Sequence, residues 1–143
     1  MGRPAETRVM PDDDRQDRLE QTGEQLADLL SYRLWVLSGL LSKSLLAQFG
    51  SVASVTHPEW RLLVLLKFYG PLSVKGLARH AQTDFGQTSR TVSRLSSNGF
   101  IEKTQGEDAR SIILSLTQQG AELHRRLWSV AMRGNEGIMD ILD

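Results

Sequence analysis

The chain has 143 residues, of which 40% are apolar and 24% charged, with 17 basic and 17 acidic side chains and no cysteine. That length fits one domain with helical extensions and supplies enough apolar side chains for a single packed core. The missing cysteine excludes disulfide staples, thiolate zinc sites and thiol redox switching.

Residues 1–17 contain Gly2, Pro4, Pro11 and the run Asp12-Asp13-Asp14. They have few apolar residues and read as a flexible acidic tail. The acidic run lacks the glycine and the spaced ligands of a calcium loop. The N-terminus has no apolar core, so it is not a secretory signal. The longest apolar run, Leu62 to Leu66, is far below the ~20 residues that cross a bilayer. The expected compartment is the cytoplasm.

A long helix is expected from about Asp17–Thr22 to Gln48. Leu26, Leu30, Leu34, Leu37, Leu41 and Leu45 recur at steps of three and four, and Leu29, Val36, Leu40 and Leu46 add a second stripe. Two stripes on a helix near a chain end exceed what one small domain covers. One of them can bury itself on a second subunit; a central core helix of a monomer is the plainer reading. Phe49-Gly50-Ser51 ends the helix.

A second helix begins near Pro58, which is tolerated in a first turn, and stops before Gly70-Pro71. Ser73 caps a short helix that ends near Gln82. Asp84 is an N-cap for a further helix to Ser97, with Asn98-Gly99 as its left-handed C-terminal signal. The period then changes from 3.6 to 2. Phe100 to Thr104 reads as a strand, residues 105–108 as a turn, and Ser111 to Leu116 as the return strand with Ile112, Leu114 and Leu116 on one face. Thr117 caps a last helix carrying Leu123, Leu127, Val130 and Ala131, which Gly134 and Gly137 are expected to break.

Helix, helix, turn, helix and β-hairpin is the order of a winged helix-turn-helix, mainly α with a small β-hairpin wing. The expected division is a tail at 1–17, dimerisation helices at 18–50 and 117–143, and a winged helix-turn-helix domain at 55–116. The formal net charge is zero, but residues 75–103 carry Lys75, Arg79, Arg90, Arg94 and Lys103 against Asp84 and Glu102. DNA responds to that local field, because screening confines each charge to about one Debye length, ~8–10 Å.

The helix from Asp84 to Ser97 has only Phe85, Val92 and Leu95 as large apolar residues, a narrow anchoring stripe. Its other face is small, polar and basic, as a helix that reads base edges requires. Gln87, Ser89 and Arg90 are the candidates for the major groove, since glutamine pairs bidentately with adenine and arginine with guanine. Arg94, one turn past Arg90, suits a phosphate. Ser73 and Lys75 open the preceding helix and suit backbone phosphates. A polar helix facing solvent without a partner is the bland alternative.

Three segments resemble the MarR (multiple-antibiotic-resistance-regulator) family: GPLSVKGLARHA, TSRTVSRLSSNGFIEK and EDARSIILSLTQQG, within Leu72 to Gly120. The family's wing signature, Asp-x-Arg followed by an apolar strand and Leu-Thr-x-x-Gly, is matched by Asp108-Ala109-Arg110 and Leu116-Thr117-Gln118-Gln119-Gly120. With flanking helices the resemblance extends from about Leu19 to Leu142. It implies a homodimer whose terminal helices pair, each subunit setting a recognition helix into one half-site of palindromic double-stranded DNA. It also implies that Arg110 reaches the adjacent minor groove, with Asp108 fixing that arginine or the wing backbone.

Two features depart from the family. Ala109 stands where many relatives have a second basic residue. Relatives also usually continue with another helix, of which Ile138 to Leu142 would be only the start.

Many relatives sense small molecules, often aromatic acids. The candidate pocket residues are Tyr32, Trp35, Trp60, Arg61 and Trp128, an arginine beside aromatics being suited to a planar carboxylate. Plain packing of these aromatics is the alternative. No cofactor or metal site is expected: His57, His80 and His124 form no i, i+4 pair. No nucleophile elbow, phosphate-cradling loop or HExxH motif is present, so an enzyme is not expected. The expected function is a sequence-specific DNA-binding regulator, a repressor released by a ligand. The alternative is a winged-helix module that docks protein without binding DNA.

Overall fold

The computed structural model describes residues 21–142 except 24 and 109, with side chains through 140. The tail at 1–17, the first residues of the long helix and Ala109 therefore lie outside the described residues. The chain divides after Leu41 into two compact units.

In the first unit, residues 21–23 and 25–28 are helical and precede helix α1, Leu30–Phe49, which enters the second unit at Ser42. Its leucine stripe is solvent-facing: Leu30 is 70% exposed, and Leu34, Leu37, Leu40 and Leu41 are all exposed. The stability of such a helix comes mostly from packing its apolar face on another surface.

The second unit opens with the end of α1. Phe49 is fully buried, and its carbonyl oxygen accepts the N–H groups of Val52 and Ala53 to close the helix. Helix α2 (His57–Tyr69) starts with a reciprocal cap. The Thr56 hydroxyl accepts the Glu59 N–H, and the Glu59 carboxylate accepts the Thr56 N–H at 2.8 Å. Gly70, at φ 75°, ends it where only glycine is unstrained. Strand β1 (Leu72–Ser73), helix α3 (Val74–Ala81) and helix α4 (Phe85–Ser97) follow. Strands β2 (Ile101–Gln105) and β3 (Ile112–Leu116) and helix α5 (Gln118–Leu142) complete the order.

The sheet is antiparallel in the order β1-β3-β2. Leu72 pairs with Leu114 and Ser73 with Ile113, while Ile101 pairs with Leu116 and Gln105 with Ile112. The core is built from Leu62, Leu63 and Leu66 of α2, Leu77 and Ala81 of α3, Val92 and Leu95 of α4, Ile101, Leu114, and Leu123 and Leu127 of α5. The winged helix-turn-helix architecture expected from the sequence is thus present.

One local expectation needs correction, and two features go beyond what was expected. Helix α5 runs through Gly134 and Gly137 to Leu142. A glycine costs a helix only about 1 kcal/mol relative to alanine. A Cβ at Gly134 would also lie 2.9 Å from Gln48 Oε1, so the glycine lets the side chain at the end of α1 approach. Strand β1 was not anticipated, because two residues carry no periodicity. Ile112 lies on the same side of β3 as Leu114 but beyond its covered part: it is 54% exposed, and Leu114 is fully buried. No helix among the described residues is long and apolar enough to cross a membrane.

Candidate nucleic-acid interface

Helix α4 is anchored from inside and open outside. Thr88, Thr91, Val92 and Leu95 are buried. The two threonines can be buried because their hydroxyls donate to helix carbonyl oxygens one turn back, Thr88 to Asp84 and Thr91 to Gln87, each at 3.0 Å. Thr88 Oγ1 also lies 2.8 Å from Thr83 Oγ1, which ties the α3–α4 turn to the helix. Gln87, Arg90, Ser93 and Arg94 are exposed and Ser89 is half-buried. The candidate major-groove residues therefore share one helix, and none lies in the core.

The start of α4 is fixed by Asp84, whose Oδ1 accepts the Gln87 N–H at 2.8 Å. The position a Cβ would take at Gly86 lies 3.2 Å from Asp84 Oδ1 and 3.4 Å from Arg90 Nη1. The Arg90 guanidinium thus folds back over the bare backbone of the first turn, gathering its charge at the helix tip. Phe85 is the exception to the expected inner stripe: at 60% exposure it anchors nothing.

Ahead of α4, Ser73 caps α3 by accepting the Gly76 N–H at 3.0 Å, and Lys75 is exposed beside it. Beyond α4 lies the β2–β3 hairpin. Its tip is closed by hydrogen bonds from Gly106 N to Ser111 O and from Ser111 N and Oγ to Asp108 O, all at 2.8 Å. The Asp108 carboxylate lies 3.4 Å from the Arg110 backbone N, and the Arg110 side chain is exposed. Ser73, Lys75, α4 and Arg110 thus sit on consecutive elements of one unit. No acidic residue occupies the first turn of α4.

The candidate pocket residues fall in different places. Tyr32 and Trp35 belong to the first unit, with ring centroids 5.8 Å apart. Trp60 and Trp128 belong to the second, where the His124 ring stacks on both, at 5.7 and 5.6 Å. Arg61 turns from this cluster: its guanidinium donates to the Ala81 carbonyl oxygen. It lines a cavity of about 120 Å³ with His57, Gln87 and Thr91, between α2 and α4. His57 Nε2 lies 3.3 Å from Ser42 Oγ, and burial, then the Arg61 charge, lowers its pKa.

An open groove of about 980 Å³ runs beside the aromatic cluster, bordered by Lys67, Phe68, His124, Arg125 and Trp128. His124 is 5% exposed, and its Nε2 has no hydrogen-bond partner among the described residues. Burial, then the Lys67 charge, holds its pKa below the ordinary histidine value, so the imidazole is neutral near pH 7. Arg125 is paired with Glu122 through bonds of 2.9 and 2.7 Å. Sequence reasoning missed Lys67, Phe68 and His124. Their spacing across α2 and α5 leaves no local pattern, and only packing brings them together.

Residues 55–112 match the model of the MarR family. The chain is 32% identical over 74 residues to the organic hydroperoxide resistance transcriptional regulator of Bacillus subtilis, a match covering 51% of this chain and 50% of that protein. The match therefore spans about half the length of that curated relative. Among solved structures, a MarR family protein of Mycobacterium tuberculosis in complex with p-aminosalicylic acid is 25% identical, with a TM-score of 0.65 over 80% of this chain and 87% of that one. A mutant MarR from E. coli complexed with operator DNA is 22% identical, with a TM-score of 0.61 over 68% and 71%, a likeness of fold.

Proposed function

We propose that this chain, whose residues 55–112 match the MarR family model, is a transcriptional regulator of that family that binds palindromic duplex DNA as a homodimer and represses by occupying its site. The observation that carries this reading is the outer face of α4. It is exposed, small, polar and basic, and is held from behind by two buried threonines and two buried apolar residues. In this reading Gln87, Ser89 and Arg90 meet base edges, and Arg94, Lys75 and Ser73 meet phosphates. Arg110 enters the minor groove, held by a wing whose backbone Asp108 braces.

Two copies pair through the helices flanking the winged helix, where the exposed stripe Leu30, Leu34, Leu37 and Leu41 becomes buried. Pairing presents two copies of α4 to successive turns of one groove. Release comes from a small planar acid in the aromatic groove. Trp128 and Phe68 stack on its ring and Lys67 takes the carboxylate. Such a ligand shifts the dimer toward a spacing of the two α4 helices that no longer matches the half-sites.

The test is selection of bound duplexes from a random pool with the purified protein, followed by titration at several salt concentrations. Three cations per subunit, Lys75 and Arg94 at phosphates and Arg110 in the minor groove, predict a log–log salt slope of about −5 for the dimer. A protein that enriches no site, and whose affinity for duplex has no salt slope, is instead a protein-docking winged helix.

A further inference from the structure

Phe85 is the first residue of α4 and leaves 60% of its surface uncovered. By helical spacing it continues the line of Val92 two turns away, yet Val92 is 1% exposed. The other exposed positions of α4 are Gln87, Arg90, Ser93, Arg94 and Ser97, all able to hydrogen-bond. The one aromatic ring therefore stands where the helix begins, within a turn of the residues that best suit base recognition.

That tip is tightly organised. Asp84 pins Gln87, and Arg90 lies over the side-chain-free Gly86. The Gln87 amide and the Arg90 guanidinium are thereby held at one side of the helix start, and the Phe85 ring stands at the other, at the edge of the buried face. A recognition helix offers its N-terminal residues to base edges, and the major groove carries one apolar feature among its hydrogen-bonding groups, the C5-methyl of thymine. Glutamine and arginine read the polar groups of adenine and guanine. A phenyl ring at the same helix end has chemistry that fits that methyl.

We propose that Phe85 is a specificity-determining residue. It packs on a thymine methyl in each half-site, on the other side of the helix start from the bases met by Gln87 and Arg90. The inference rests on the DNA-binding reading above and adds to it a base preference that no hydrogen-bonding side chain of α4 can supply. It is also particular to this chain's own exposed ring and does not depend on how the dimer or the effector groove works.

The experiment replaces each thymine of the selected duplex by deoxyuridine, at symmetric positions in both half-sites. Affinities are measured for wild type, Phe85→Ala and Phe85→Leu. Deoxyuridine keeps every hydrogen bond and removes only the methyl. At one thymine position wild type should lose about fourfold per methyl, on the order of fifteenfold for both half-sites. Phe85→Ala should bind the unmodified duplex at least that much more weakly and be indifferent to deoxyuridine there, to within about twofold. Phe85→Leu should retain part of the thymine preference. All three should melt alike, since the ring is exposed. Two outcomes overturn the proposal while leaving DNA binding intact: no thymine whose methyl matters to wild type, or an undiminished deoxyuridine penalty in Phe85→Ala. A wild type that binds no duplex at all fails earlier, at the DNA-binding reading.

Discussion

Thr117 joins the end of α4 to the start of α5 through Gly99. Its Oγ1 donates to the Gly99 carbonyl oxygen at 2.5 Å and accepts the Gly120 N–H at 3.0 Å. One hydroxyl thus caps α5 and holds the loop that leaves α4. Thr117→Val keeps the shape and removes both bonds. The expected loss is about 2 kcal/mol, a helix cap plus a part-buried hydrogen bond. Urea unfolding with an unchanged slope would register it, and a midpoint equal to wild type would show that the cap does not matter.

Two glycines of α5 should respond in opposite directions. A Cβ at Gly120 would sit 2.0 Å from the Phe100 carbonyl oxygen, a backbone atom that cannot turn aside. Gly120→Ala is therefore expected to cost about 3 kcal/mol. At Gly134 the nearest atom belongs to the end of the Gln48 side chain, which can move. Gly134→Ala should be neutral or stabilise by up to about 1 kcal/mol through helix propensity. Thermal melts of the pair decide it, and equal effects would refute the contrast.

Stability should fall with acid because of His124. Its folded-state pKa is depressed by burial, then by Lys67, so the unfolded chain binds the proton more readily. The contribution is complete above the ordinary histidine value of 6.5 and declines as pH falls below it toward the lower folded value. His57, lowered by burial and then Arg61, acts in the same direction. His124→Phe should flatten part of this slope in denaturant midpoints measured from pH 7.5 to 5. An unaltered slope would place the pH dependence elsewhere.

Arginines at the two ends of the interface should fail differently. Arg110→Ala should weaken duplex binding with little change in sequence preference and a shallower salt slope. Arg90→Ala should cost about 1–3 kcal/mol and relax preference at one base pair of each half-site. Wild-type affinity in both variants would refute the residue assignment.

The limits of α4 were legible in the sequence because they are written in local chemistry. Asp84 can accept from its own first turn, and Asn98-Gly99 supplies the turn out of the helix, Gly99 standing at φ 78°. The wing was legible for the same reason, as a period-2 run on each side of a polar turn. What escaped depends on distant partners. Strand β1 exists only because Leu72 and Ser73 meet Leu114 and Ile113 some forty residues on. Helix α5 passes Gly134 because the stripe Leu123, Leu127 and Val130 is buried by packing, which outweighs a weak local penalty. Phe85 was misjudged because spacing tells which side a residue faces, not where the covering surface stops. The aromatic groove joins residues about sixty positions apart, so no reading by windows assembles it.

Ser73 has a double attachment: it pairs with Ile113 in the sheet and caps α3 with its hydroxyl. The wing's inner strand and the helix ahead of the probe are therefore pinned at a single residue and have no hinge between them. A rigid caliper of this kind cannot adapt its jaws to an ill-fitting duplex. In the proposed DNA-binding reading, bending and groove narrowing therefore come from the DNA, so base steps that no side chain touches become part of what is selected.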